Sequence, residues 1–280
     1  MRPAIALQYA LPHRLLSRLV YWATRWTWRP WKDFLITRVI RSYRVDMSQA
    51  LVENPAEFAT FNAFFTRALK ADARPLPDDP RALVSPADGR ISQLGAIGDG
   101  RIFQAKGQDF SAAELLGDDE AAVPFRNGHF ATIYLSPRDY HRVHMPLSGA
   151  LRETLHIPGR LFSVAPFSVD AVPRLFARNE RLVCLFDGDQ GPFAVVMVGA
   201  MLVSSVETVW RGLEIPPYAD AIVRRSWRDR RIRLERGAEM GRFNMGSTVI
   251  LLIPEGRVAW DAGLGPESPV VVRRRIGECR

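Results

Sequence analysis

The amino-acid sequence predicts an α+β chain, with amphipathic helices at the N-terminus followed by a β-rich body. Three observations predict it. Residues 1–45 carry nine basic residues against one acid, which is the whole of the formal net charge of +8, interleaved with leucine and tryptophan at helical spacing. Residues 73–80 are proline-rich and interrupt regular structure. From Leu83 onward, short apolar blocks alternate with glycine-, proline- and aspartate-rich turns, the pattern of strands.

In the N-terminal segment, Arg14, Arg18, Arg25 and Arg29 fall within about 60° of one another at roughly 100° per residue. Leu15, Leu16, Leu19, Val20, Trp22, Ala23 and Trp26 occupy the other side, and Trp22, Trp26, Trp28 and Trp31 cluster in ten residues. Pro30 is expected to end this helix, with a second over residues 31–44. A basic face opposite an aromatic one suits a helix lying among anionic headgroups, with Arg14, Arg18, Trp22, Arg25, Trp26 and Arg29 as the membrane-binding residues. The competing reading is an ordinary helix that packs its apolar face on the body. No stretch approaches the roughly 18 uninterrupted apolar residues of a spanning helix. The recurring arginines also argue against a cleavable signal peptide.

Next, Asn54-Pro55-Ala56-Glu57 reads as a helix start, with a capping Asn, Pro at the first helical position and Glu three residues after the cap. Its helix carries Phe58, Phe61, Phe64, Phe65 and Leu69 as a packing stripe. Residues 73–80 then form an extended linker. Strands are expected over 129–135, 151–157, 181–186 and 193–203, the last two closed into a hairpin by a turn at 187–192. Residues 247–253 and 258–260 form a second hairpin around Pro254-Glu255-Gly256.

Composition narrows the function. With 47% apolar and 24% charged residues the chain is not disordered. Its two cysteines, Cys184 and Cys279, are too far apart in sequence for a disulfide scaffold and too few for a Cys-rich metal site. Beyond residue 45 basic and acidic residues balance, so the basic pI does not describe a nucleic-acid coat.

Reactive groups concentrate in three places. His141 and His144 lie in the polar run Ser136-Pro137-Arg138-Asp139-Tyr140-His141-Arg142-Val143-His144-Met145-Pro146, directly after an apolar strand. A metal reading of His-x-x-His is weak, because no Glu follows the first His and neither Cys is nearby. Asp88 sits in the turn Ser85-Pro86-Ala87-Asp88-Gly89. Ser247 sits in Phe243-Asn244-Met245-Gly246-Ser247-Thr248-Val249. Together Asp88, His144 and Ser247 supply the components of an activated hydroxyl. The Gly-x-Ser-x-Gly elbow of common hydrolases is missing from the sequence.

These blocks, with the run from Phe61 to Lys70 and the following Ala73-Arg74-Pro75, resemble the bacterial, membrane-associated phosphatidylserine decarboxylases. Weaker matches lie at Pro158-Gly159-Arg160-Leu161-Phe162-Ser163-Val164 and Asn179-Glu180-Arg181. The family's usual Leu-Gly-Ser-Thr reads Met245-Gly246-Ser247-Thr248 here, a nearly volume-neutral change. The resemblance implies decarboxylation of phosphatidylserine to phosphatidylethanolamine by a covalent pyruvoyl group made from Ser247, with neither pyridoxal phosphate nor a metal. Lys32, Lys70 and Lys106 offer no convincing pyridoxal site in any case. In that scheme His144, oriented by Asp88, deprotonates Ser247, which attacks the carbonyl of Gly246 and cleaves the chain into residues 1–246 and 247–280. The substrate amine then forms a Schiff base with the new ketone, and His141 or His144 donates a proton. The implied organisation is a membrane-surface segment over 1–47 and a catalytic body over 48–280. The two pieces would remain a heterodimer, with a dimer of heterodimers as an open alternative, peripheral on the cytoplasmic face of the bacterial cell membrane. The alternatives are a membrane-associated Ser-His-Asp lipid hydrolase with an intact chain and a non-catalytic anionic-lipid-binding module.

Overall fold

The structure, a computed structural model, describes residues 3–105, 107–202 and 205–280. Lys106 and the end of the strand expected over 193–203 therefore lie outside the described residues. Helices and many antiparallel strands combine in the α+β arrangement the sequence predicts, and the N-terminal helices are present.

Three helices open the chain: α1 (Pro3–Ala10), α2 (His13–Arg25) and α3 (Arg29–Tyr43). The break between the last two falls after Arg25 rather than at Pro30. Pro30 instead sits in the first turn of α3, where its missing N–H satisfies no helical bond anyway. Arg44 ends α3 in the left-handed region at φ 53. No helix among the described residues is long and apolar enough to cross a membrane.

Helix α2 turns its polar side to the body. His13, Ser17 and Thr24 are buried. Arg14 donates to Asp220 Oδ1 (3.2 Å) and to the Ala219 carbonyl (2.8 Å), while Arg25 donates to Ser205 Oγ (2.8 Å) and lies 3.8 Å from Glu207. Leu15, Leu19, Trp22 and Trp26 point outward, with Trp22 74% exposed. The ordinary-helix reading is thus reversed: Arg14 and Arg25 pack against protein, and Leu15, Leu19, Trp22 and Trp26 are left open.

The helix start at Asn54 lasts one 3₁₀ turn, Pro55–Glu57, with Asn54 Oδ1 accepting from the Ala56 N–H. Phe58 is extended, and Thr60 caps a second short helix, α4 (Phe61–Phe65), through the Ala63 N–H. Two capping residues only six positions apart divide what the spacing read as one helix. Phe58, Phe61, Phe64 and Phe65 join Ile36 and Val45 in a small core separate from the main one, and Met245 packs against it.

The main core lies on a nine-stranded antiparallel sheet. Its path runs Val223–Ser226, Gly149–Ile157, Arg181–Gly188, Gly191–Val198, Ser247–Ile253, His129–Leu135, Gly89–Ala96, Pro269–Val270, with Arg233–Leu234 added on Gly149–Ile157. The expected hairpin of Arg181–Gly188 with Gly191–Val198 forms. The second does not. Ser247–Ile253 is buried along its whole length and takes a neighbour on each edge, Gly191–Val198 and His129–Leu135. Val258–Trp260 instead pairs with Arg275–Cys279, which also pairs with Ala82–Val84.

A four-stranded sheet sits beside the large one, in the order Gly212–Ile215, Ser205–Thr208, Glu239–Asn244, Arg142–His144. Two of the chain's passages between the sheets lie next to each other. One crossing joins Leu135 to Arg142; the other, only Met245 and Gly246, joins Asn244 to Ser247. Leu135 pairs with Ser247 at one end, and the Phe243 N–H donates to the His141 carbonyl (3.0 Å) at the other. The two crossings therefore run side by side.

Candidate functional site

The site is built on those crossings. Ser247 is the first residue of the central strand, fully buried, and its Oγ has no hydrogen-bond partner among the described residues. A buried hydroxyl left unpaired costs about 1–3 kcal/mol. Met245, two residues earlier, has φ 102, a conformation costing on the order of 1–3 kcal/mol for a residue with a side chain. Its side chain is held by the phenylalanine core. Gly246 itself is not in the left-handed region, and a Cβ there would come no closer than 3.9 Å to the Leu135 carbonyl. The left-handed backbone of this crossing thus belongs to Met245 and not to Gly246.

His141 is fully buried against Phe65, with ring centroids 4.1 Å apart. Its Nδ1 is 2.8 Å from the Asp139 carbonyl, which can only accept, so Nδ1 carries the proton. Nε2 then presents a lone pair with no partner. Burial pushes this imidazole down to about 3, with a smaller contribution from the Arg67 charge.

His144 is held at both nitrogens. Nδ1–H donates to the Gly237 carbonyl (2.8 Å), and Nε2 accepts from the Tyr140 hydroxyl (3.1 Å). Burial lowers its pKa and raises that of Tyr140 to about 12, so the ring is neutral and the phenol keeps its proton. The Asp88 turn lies against this strand, since the His144 N–H donates to the Pro86 carbonyl (2.8 Å). Gly89 allows the approach: a Cβ there would lie 2.1 Å from the Tyr134 carbonyl oxygen. The Asp88 carboxylate is engaged elsewhere, by Arg74 (2.9 Å) and the Val272 N–H (2.7 Å).

The structure therefore brings the Asp88 turn and His144 together through the backbone, and it joins His141 to the segment before Ser247. No hydrogen bond connects Asp88, His144 and Ser247 in series among the described residues. The acceptor that fixes the His144 tautomer is the Gly237 carbonyl, a backbone group that no side-chain motif signals. Arg74 and Tyr140 lay within the blocks quoted from the sequence, yet residue type alone gave them no role.

Cavities flank the site. One of ≈ 260 Å³ is lined by Phe61, Phe65, Tyr134, Leu135, Met245 and Gly246, among others. Another of ≈ 200 Å³ meets Arg74, Tyr140, His144 and Glu239. Other sequence blocks are structural. Asn179 bonds the backbone of Phe162 and Gly199, and His156 pairs with Glu180 at 2.7 Å. Arg181 donates to the carbonyls of Glu114, Leu115, Ala177 and Asn179. Cys184 and Cys279 are buried free thiols. No group of three or more His, Cys, Asp or Glu among the described residues is placed to hold a metal ion.

Comparison with known proteins adds a second line. A family model described as phosphatidylserine decarboxylase matches residues 61–278, and one described as PSD matches residues 3–44. Among curated relatives, a protein of Xanthomonas campestris pv. campestris (strain B100) is 63% identical over 98% of this chain and 95% of its own length. One from Xanthomonas oryzae pv. oryzae (strain MAFF 311018) is 61% identical over 97% of this chain and 98% of its own. A third, from Stenotrophomonas maltophilia (strain R551-3), is 59% identical over 98% of each. All three are named phosphatidylserine decarboxylase proenzyme.

The buried rings give a direct test. In a Ser247→Ala chain, ¹⁵N NMR should find His141 as the neutral Nδ1–H tautomer at pH 6, and His144 should titrate with a midpoint below 6.5, the ordinary histidine value. A charged His141 at that pH, or a His144 midpoint above 6.5, contradicts the assigned hydrogen bonding.

Proposed function

The chain belongs to the phosphatidylserine decarboxylase family, and from that premise we propose that it converts phosphatidylserine to phosphatidylethanolamine with a carbonyl made from its own Ser247. The observation that carries the proposal is the unpartnered, fully buried Ser247 Oγ beside a strained two-residue crossing. Such a hydroxyl loses no hydrogen bond when it attacks, and strain at Met245 raises the precursor in energy. Gly246 leaves room around the carbonyl under attack.

In this reading the proton of Ser247 Oγ passes to a base, and Oγ bonds to the carbonyl carbon of Gly246. The 246–247 C–N bond breaks, its nitrogen takes a proton, and an ester remains. Loss of the Cα proton of residue 247 then expels the Gly246 carboxylate and leaves dehydroalanine. Water replaces the nitrogen, released as ammonia, and a pyruvoyl group caps residues 247–280. That group supplies the electron sink for decarboxylation. The family resemblance gives the base role to His144, whose Nδ1–H is fixed by Gly237; its Nε2 is held by the Tyr140 hydroxyl, so that hydrogen bond has to break before it can take the Ser247 proton. Asp88, bound to Arg74, then acts by setting the turn that supports His144. His141, with its bare Nε2 beside the crossing, fits the proton carrier of turnover.

The division into residues 1–246 and 247–280 is compatible with a lasting heterodimer. The smaller piece would supply the central strand Ser247–Ile253, hydrogen-bonded on both edges to the larger one. We read residues 1–47 as the membrane-surface segment and 48–280 as the catalytic body, peripheral on the cytoplasmic face of the bacterial cell membrane. The outward Leu15, Leu19, Trp22 and Trp26 support insertion of the apolar face among anionic lipids. Arg18 and Arg29 remain exposed for headgroups, whereas Arg14 and Arg25 are committed to the body.

Two experiments follow. On denaturing gels, His144→Ala should give a single uncleaved band. His141→Ala should cleave yet release labelled carbon dioxide about 10²–10⁴-fold more slowly, the usual loss of a general acid–base group. A full-length wild-type band that hydrolyses lipid esters would favour the hydrolase instead. For the membrane, Trp22→Ala with Trp26→Ala should weaken sedimentation with anionic vesicles at least about tenfold, the scale of withdrawing one large apolar side chain. Arg14→Gln with Arg25→Gln should change it far less. Equal losses would return the binding to the arginines.

A further inference from the structure

Beside the apolar cavity at Gly246 lies a second, of ≈ 400 Å³, lined by Ser42, Tyr43, Arg44, Arg90, Tyr134, Ser136, Arg138 and Asp139. Tyr43 and Tyr134 line both, so the two spaces are neighbours. Three guanidinium groups face one carboxylate there, and that carboxylate is already occupied. Asp139 Oδ2 accepts from the N–H and the hydroxyl of Ser136, and Oδ1 lies 3.7 Å from Arg138. Among the described residues, no carboxylate lies within ion-pair distance of Arg44 or Arg90. The Arg90 guanidinium donates to the Glu267 carbonyl.

The three arginines come from separate elements that the fold fixes independently. Arg44 is the left-handed cap of α3, with its N–H on the Ile40 carbonyl. Arg90 follows the Asp88 turn. Arg138 lies on the crossing, where the buried Arg67 donates to its carbonyl (3.1 Å). Register sets the distance to the reacting residue: Arg90 pairs with Tyr134, and Tyr134 pairs with Thr248. Arg90 is thus two strands, about 10 Å, from the residue after Ser247. In phosphatidylserine only the serine skeleton separates the phosphate from the amine.

We propose that Arg44, Arg90 and Arg138 form the subsite for the substrate phosphodiester, setting the headgroup so that its amine reaches residue 247. This rests on the proposed use of Ser247, and it adds a specificity element to that reaction. Guanidinium forks suit the two free oxygens of a phosphodiester, and a cavity with excess positive charge stabilises the anion before any bond changes. Because Arg44 caps α3 in the N-terminal segment and the other two belong to the body, the subsite needs both parts in place.

The same chemistry would also attract the phosphodiesters of neighbouring bilayer lipids, so the test separates the two sources. Arg44→Gln, Arg90→Gln and Arg138→Gln are compared with wild type on short-chain phosphatidylserine dispersed without a bilayer, with glycerophosphoserine as competitor. Arg41→Gln, exposed on α3 outside the cavity, is the control. Each cavity variant should cleave normally on a gel, raise KM about tenfold or more as one charge-assisted hydrogen bond is lost, and weaken the competitor in parallel. A lysine at each position should recover part of the loss. Unchanged KM in all three variants, or losses confined to binding of phosphatidylglycerol vesicles, would overturn the assignment. Failure of the Ser247 reading looks different: wild type itself would stay uncleaved or remain active without a new carbonyl.

Discussion

The arrangement depends on one constraint: the chain must enter a fully buried strand at the middle of the sheet at a hydroxyl residue, through a crossing of only two residues. Ser247–Ile253 is bonded on both edges, so Ser247 cannot shift in register without displacing every residue behind it. The crossing has only Met245 and Gly246 to make the turn. Met245 absorbs the geometry at φ 102 while its side chain is clamped in the phenylalanine core. An unpaired buried hydroxyl and a strained backbone are both unfavourable, and each is tolerated because the surrounding packing over-determines it.

That clamp ties two parts of the molecule together. The core holding Met245 is built from α3 and the segment around α4, with Ile36 and Val45 against Phe58, Phe61, Phe64 and Phe65. The same N-terminal layer turns Trp22, Trp26 and Phe34 outward and contributes Val39 and Tyr43 to the cavity at Gly246. The N-terminal segment therefore forms part of the wall of the cavity at Gly246.

Much of this was legible in the sequence, for identifiable reasons. Periodicity located the N-terminal helices and the strands 129–135 and 247–253, because apolar runs of that length have few alternatives. The sequence put His141, His144, Asp88 and Ser247 forward as candidates, and the structure places the Asp88 turn against His144 and His141 beside the segment before Ser247. What could not be read was pairing. Nothing local says that Ser247–Ile253 is central and does not pair with Val258–Trp260, or that α2 faces the body with its arginines. Those outcomes follow from long-range partners such as Asp220 and Glu207. The hydrogen bonds of His144 were likewise hidden, because one partner is the backbone of Gly237.

The central claim, that Ser247 becomes the working carbonyl, is tested most directly by intact mass spectrometry of freshly purified wild-type protein that releases carbon dioxide from phosphatidylserine. The account predicts two polypeptides, residues 1–246 with an ordinary carboxyl terminus and residues 247–280 lighter than the corresponding peptide by one ammonia. A single full-length species of unmodified mass in an equally active preparation would contradict it.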